Sequence, residues 1–141
     1  MGEARTVMDR LNDSITKDKD LKALAECYAE DAILHTPDRG EIKGRAGLVE
    51  WWRQMFEAIP ENTYEPLFQH EAGDTAIDEG YWGGKNTGPL VTPTGEKLPA
   101  TDKTVRIRSC DAAKVENGHI VDHRLYFDQL EFMTQLGLAP S

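Results

Sequence analysis

The hydrophobic period changes once along this chain, and that change restricts the fold more than any other feature. In the first 60 residues apolar side chains recur every three to four positions: Val7, Met8, Leu11 and Ile15, then Leu21, Leu24, Ala25 and Tyr28, then Leu48, Trp51, Trp52, Met55, Phe56 and Ile59. That spacing lines one face of a helix. From about residue 63 the period becomes two, over Thr63–His70, Ala76–Gly83, Val105–Val115 and His119–Phe127. A period of two sends successive side chains to opposite faces of a strand. Helices first and antiparallel strands afterwards predict an α+β fold, with a curved antiparallel sheet wrapped around the helices.

The breaks agree with this division. Lys17-Asp18-Lys19-Asp20 separates the first two helices, with Asp20 placed to cap the second, and Pro60 stops the third. Ala32–Thr36 is a short apolar run ended by Pro37 and reads as a strand, followed by turn chemistry in Pro37-Asp38-Arg39-Gly40. Gly73-Asp74 and Asn117-Gly118 are hairpin turns. The segment from Gly83 to Lys103 is rich in Gly, Pro and Thr and reads as a long hairpin tip, a mobile flap over a pocket mouth. Gln129–Leu136 predicts a short final helix ended by Gly137.

A length of 141 residues suits one domain spanning 1–141, large enough to bury a core without disulfides or a structural metal. The 25 acidic residues outnumber the 16 basic ones and give a net charge of −9. That balance repels phosphate backbones and anionic lipid, so neither nucleic acid nor a membrane is expected as partner. No apolar run nears the roughly 18 residues needed to cross a bilayer, and the opening MGEARTVMDRLND is charged, without the apolar core of a signal segment. Cys27 and Cys110 are expected to be reduced and half-buried, in a cytoplasmic protein.

Three segments carry a family resemblance: LAECYAEDAILHTPDRGEIKGRAGLVEWW, GYWGGKNTGPLVTPTG and NGHIVDHRLYFDQLEFMTQLGL. In this order they resemble the SnoaL-like polyketide cyclases of the nuclear-transport-factor-2-like superfamily, and the likeness covers nearly the whole chain. The resemblance implies a cone-shaped α+β barrel in which three N-terminal helices close a strongly bent sheet around one pocket. It also implies a small apolar ligand and a homodimer formed through the outer face of the sheet.

Asp128 leads the candidates for chemistry. Arg124, Tyr126 and Asp128 share one face of the last strand, while Val121, His123, Leu125 and Phe127 share the other. Tyr126 and Asp128 stand about 7 Å apart by strand rise, and a carboxylate beside a phenol in an apolar cone is a usable acid/base pair. The resemblance implies the acid/base role for Asp128. Its spacing to Glu131 is also that of a capping box ahead of a short helix. His35 on the first strand and Arg108 on a later one are candidate stabilisers of a developing oxyanion, together with Tyr126. Asp111 shares the face of Val105 and Ile107 if that strand stays regular, which makes it a second candidate pocket carboxylate. Asp78 and Glu79 are further candidates. Tyr28, Trp51, Trp52 and Trp82 supply apolar wall for stacking a planar ligand.

His119 and His123 have a helical ligand spacing, but on a strand they lie about 13 Å apart and cannot hold one ion. With no HExxH and no paired CxxC, no metal is expected. The chain also departs from its relatives. Ketosteroid isomerases carry a base aspartate immediately before the proline that ends the first strand, where this chain has Thr36, and Asn12 falls near the place of their helix-one tyrosine. Epoxide-hydrolase relatives need an arginine and an aspartate two residues apart on an earlier strand, and Ala76–Gly83 holds no arginine. The expected function is a cofactor-independent acid/base enzyme acting on an apolar planar or polycyclic carbonyl compound, cyclase- or isomerase-like, with Asp128 as base. The alternatives are a non-catalytic ligand-binding or dimerisation module, and an epoxide-hydrolase-like hydrolase.

Overall fold

The first helix, α1 (Glu3–Thr16), buries Val7, Met8, Leu11 and Ile15, the stripe its sequence spacing predicts. In the second, α2 (Leu21–Glu26), the Asp20 carboxylate accepts from the backbone N–H groups of Lys22 and Ala23. These observations come from a computed structural model that describes residues 2–139. The helix stops at Glu26, two residues short of Tyr28, and Tyr28 instead begins strand β1 (Tyr28–Thr36). Pairing overrides helical spacing here, since the Cys27 carbonyl accepts from the Ile120 N–H at 2.8 Å and Tyr28 lies in register with Ile120.

The remaining elements are β2 (Gly40–Lys43), α3 (Arg45–Ala58), β3 (Thr63–Ala72), β4 (Thr75–Lys85), the small hairpin β5 (Leu90–Val91) and β6 (Lys97–Leu98), β7 (Thr104–Glu116), β8 (His119–Phe127) and α4 (Gln129–Gln135). Six strands form one sheet in the order β2-β1-β8-β7-β4-β3. Its pairs are antiparallel except β1 with β8, which run parallel. Those two strands are joined by most of the chain, so no hairpin turn dictates their relative direction.

One face of the sheet covers the helices, and alternation assigns each side chain to a face. Ala76 and Asp78 of β4, Val105, Ile107, Ala113 and Val115 of β7, and Ile120 and His123 of β8 are buried on the inner face. A bulge at Leu67 reverses the parity of β3. Before it Tyr64 faces Trp82 on the inner side, and after it Phe68 faces Glu79 on the outer side. Gly80 matters here: a Cβ at that position would lie 2.7 Å from the Tyr64 ring, so its absence lets the phenol lie over β4. The core divides into a large cluster under α1–α3 and a smaller one where Ala58, Ile59, Leu90, Phe132 and Leu136 meet.

The glycine-rich segment after β4 carries the hairpin β5–β6, in keeping with the hairpin tip expected there, and its base is anchored through Asn86. Asn86 is fully buried. Its amide donates to the carbonyls of Ala58 and Gly88 at 2.9 and 3.0 Å, and its carbonyl accepts from the Thr101 N–H and hydroxyl, each at 2.9 Å. Gly88 packs directly on the Glu57 carbonyl, where no Cβ fits. Asn86→Ala is expected to cost about 2–3 kcal/mol of stability, since it leaves several buried backbone groups unpaired. A urea midpoint unchanged from the parent protein would refute that anchoring role. No helix of the described residues is long and apolar enough to cross a membrane.

Candidate active site

A cavity opens between the inner face of the sheet and the helices. Trp51, Trp52, Met55, Ile107, Leu125 and Phe132 supply most of its apolar wall, and Trp82 and Phe127 complete it. It offers about 70 Å³ to the centre of a water-sized sphere, where one water needs roughly 10–15 Å³. Trp51 and Trp52 meet edge to face, with ring centroids 4.9 Å apart.

Polar side chains, Asn12, Tyr64 and Asp111 among them, interrupt this wall. Asp111 of β7 lines the cavity with its side chain 14% exposed, and its Oδ2 lies 2.6 Å from His123 Nε2. His123 Nδ1 is 2.7 Å from the Tyr28 hydroxyl, and Trp52 Nε1 is 3.2 Å from the same oxygen. The direction of this chain follows from its two ends. A carboxylate only accepts, so His123 donates from Nε2 to Asp111, and the neutral imidazole then accepts at Nδ1 from the Tyr28 hydroxyl. An indole N–H only donates, so the Tyr28 oxygen accepts from Trp52. Burial pushes the Tyr28 phenol well above its ordinary range, against a smaller opposing effect of the Trp52 bond. The chain leaves one oxygen of Asp111 free of it.

Behind the wall, and not itself lining the cavity, Asp78 faces Asp111 across β4 and β7. Asp78 is fully buried and accepts from both terminal nitrogens of Arg5, at 2.5 and 3.0 Å, and from the Asn12 amide at 2.8 Å. Opposed carboxylates would repel, and each here has its own partner, Arg5 for one and His123 for the other. Above them the Tyr64 hydroxyl and Trp82 Nε1 are buried and have no hydrogen-bond partner among the described residues. Both side chains line the cavity, and their residues are cross-strand neighbours. Burial raises the Tyr64 phenol well above its usual value, and the charges of Asp111 and Asp78 add to the rise.

The two shifted phenols make a pH prediction. Below about pH 10, the ordinary phenol value, both folded and unfolded chains keep these groups protonated. Above it the unfolded chain ionises first, so it binds fewer protons and stability falls as pH rises. The expected slope is up to about 1.4 kcal/mol per pH unit for each phenol. Urea denaturation between pH 9 and 11 checks it, and Tyr64→Phe should remove one share of the slope.

The sequence candidates divide by face. Trp51, Trp52, Trp82 and Asp111 line the cavity, and Tyr28 stands behind it through its bonds to Trp52 and His123. Asp128, Tyr126, His35 and Arg108 do not. Asp128 is exposed and caps α4, accepting from the Glu131 N–H at 3.0 Å. Tyr126 is 57% exposed on the outer face, since β8 turns Leu125 and Phe127 inward. Arg108, Tyr126, Asp128 and Glu79 border the same shallow depression outside the sheet. His35 alternates with the inward Leu34 and lies 3.4 Å from Asp122 and 4.0 Å from Glu41. Tyr126, His35 and Arg108 lie on strand faces that alternation defines but does not assign to the interior, and Asp128 is in addition turned to the cap of α4.

Tyr64, Arg5 and the role of His123 beside Asp111 are what sequence reasoning passed over, whereas Asp78 was among its candidates without a partner. A signal existed for His123, which shares its face with Leu125 and Phe127, the more apolar side of β8. Among the described residues no group of three or more His, Cys, Asp and Glu side chains is placed to hold a metal ion.

Comparisons with known proteins follow this geometry. The model of the SnoaL-like domain matches residues 5–123. A structure from Jannaschia sp. CCS1, provisionally assigned as a SnoaL-like polyketide cyclase, is 18% identical, with 99% of this chain and 94% of that one covered and a TM-score of 0.84. IdmH from Streptomyces antibioticus, provisionally a polyketide cyclase, is 21% identical over 96% of this chain and 99% of its own, with a TM-score of 0.77. AclR from Streptomyces galilaeus, provisionally a hydroxylase, is 17% identical over 98% of each chain, with a TM-score of 0.77. No curated protein matches the sequence at a significant level. At these identities the solved structures speak for the fold, and their differing assignments leave the chemistry to the site.

Proposed function

The chain belongs to the SnoaL-like domain family, and from that premise we propose a cofactor-independent acid/base enzyme, cyclase- or isomerase-like, that acts on an apolar carbonyl compound with Asp111 as base. The observation that carries this reading is the pairing, in one apolar cavity, of a carboxylate held by His123 with two buried donors that lack partners, Tyr64 and Trp82.

The groups divide the work as follows. The free oxygen of Asp111 takes a proton from the carbon next to the substrate carbonyl, and the C–H electron pair moves into the enolate. The Tyr64 O–H and Trp82 Nε1–H donate to the oxygen on which charge develops. The enolate carbon then attacks a second carbonyl to close a ring, the resulting alkoxide taking the proton from Asp111, or the extended enolate takes that proton back at another carbon to shift a double bond. His123 is a positioning residue. Its N–H holds one carboxylate oxygen, and Tyr28 and Trp52 hold the imidazole in the matching tautomer.

The test is deuterium exchange next to the carbonyl of 1-tetralone in deuterated water, followed by NMR. Wild-type protein is expected to catalyse it, Asp111→Asn to lose it and Asp128→Asn to retain it. Binding of the ketone without exchange would instead support the non-catalytic ligand binder. Labelled oxygen from water appearing in a diol made from an apolar epoxide would support the hydrolase.

The exposed Phe68 and Tyr126 on the outer face of the sheet, each 57% exposed, support a homodimer through that face. Sedimentation at micromolar concentration should find a dimer, and a monomer there rejects it.

A further inference from the structure

A second, smaller compartment lies against the main cavity. Trp51, Met55, Phe127 and Phe132 line both, so the partition between them is one layer of side chains. On its far side the small compartment is walled by β5, and Asp38 of the β1–β2 turn borders it. Its volume on the same measure is about 20 Å³, room for about one water-sized group.

The Asp38 carboxylate is fixed asymmetrically. Oδ2 accepts from Trp51 Nε1 at 3.3 Å and lies 3.6 Å from Arg39 Nε. Oδ1 is buried and has no hydrogen-bond partner among the described residues. Arg39 is itself anchored, donating to Gln54 at 3.0 Å and to the Thr92 carbonyl at 3.3 Å. One acceptor therefore stands unused on a side chain that borders a compartment of single-group size, next to an apolar cavity.

We propose that this compartment is a substrate subsite that takes a hydroxyl at the far end of the apolar substrate, with Asp38 Oδ1 accepting its proton. The proposal rests on the main cavity being the substrate site and narrows the substrate to carbonyl compounds with a distal alcohol or phenol. A hydroxyl suits the compartment better than an ammonium, because Arg39 already balances the Asp38 charge. A methyl ether would fill the space without donating and leave the acceptor unpaired. Met55, unbranched and half-buried, is the member of the partition best able to move aside for a ligand that spans both compartments.

The experiment measures affinities of 1-tetralone, 6-hydroxy-1-tetralone and 6-methoxy-1-tetralone by isothermal titration calorimetry. The wild-type protein is expected to bind the hydroxy compound at least about tenfold more tightly than the other two, the effect of a hydrogen bond to a charged acceptor. Asp38→Ala should reduce that preference to about twofold or less, and Asp128→Asn should keep it. Because the readout is a ratio within each protein, a change in overall stability does not imitate it. A wild-type ratio near one, or a ratio unchanged in Asp38→Ala, overturns the subsite. If 1-tetralone still exchanges deuterium in that case, the acid/base reading stands and only the subsite falls. If none of the three compounds binds, both fall.

Discussion

Asp111→Asn is expected to slow deuterium exchange at the carbon next to the 1-tetralone carbonyl by roughly 10²–10⁴-fold, the usual contribution of a positioned general base. In barrier terms that is about 3–5 kcal/mol. Asparagine keeps the size of the side chain and an oxygen that can accept from His123 Nε2, so the arrangement at 2.6 Å is preserved while the proton acceptor is lost. Stability should change little, because the His123 bond survives and the other amide group faces the cavity. A rate within twofold of wild type would remove Asp111 from the mechanism. Asp128→Asn is the matched control, since that carboxylate caps α4 and asparagine caps nearly as well.

Arg5→Met is expected to destabilise the fold by about 3–5 kcal/mol, the cost of leaving a buried carboxylate without its counter-charge. Asp78 is fully buried and would keep only the Asn12 amide as donor. That loss is a large fraction of the roughly 5–15 kcal/mol that holds a typical domain folded. The double variant Arg5→Met with Asp78→Leu should recover most of it, because replacing both members of a buried ion pair by apolar groups is often close to neutral. Urea denaturation of the two variants decides the matter. Equal losses in the single and double variants would mean that packing, rather than charge compensation, is what Arg5 provides.

Local rules carried far in this chain where one element could satisfy them alone. The α1 stripe, the Asp20 cap, the Asn117-Gly118 turn and the two-residue alternation of β7 are each properties of a few neighbouring residues, and all are present in the fold. Alternation along β7 also placed Asp111 with Val105 and Ile107, the inward residues. Those facts, together with the order of helices before strands, determined the α+β class.

Which face of a strand looks inward is not a local property. Alternation sorts β8 into Arg124-Tyr126-Asp128 and His123-Leu125-Phe127, but only packing of the sheet against α1, α3 and α4 chose the second set. The same choice moved His35 and Arg108 outward and ended α2 before Tyr28, where pairing with β8 competed with helical spacing. The polar groups in and behind the cavity wall depended most on tertiary structure. Arg5 and Asp78 are 73 residues apart, Tyr28 and His123 are 95 apart, and Asp111 meets His123 across two strands. Buried polar groups must find partners wherever the fold brings donors and acceptors together, and that constraint acts only once distant segments share one interior.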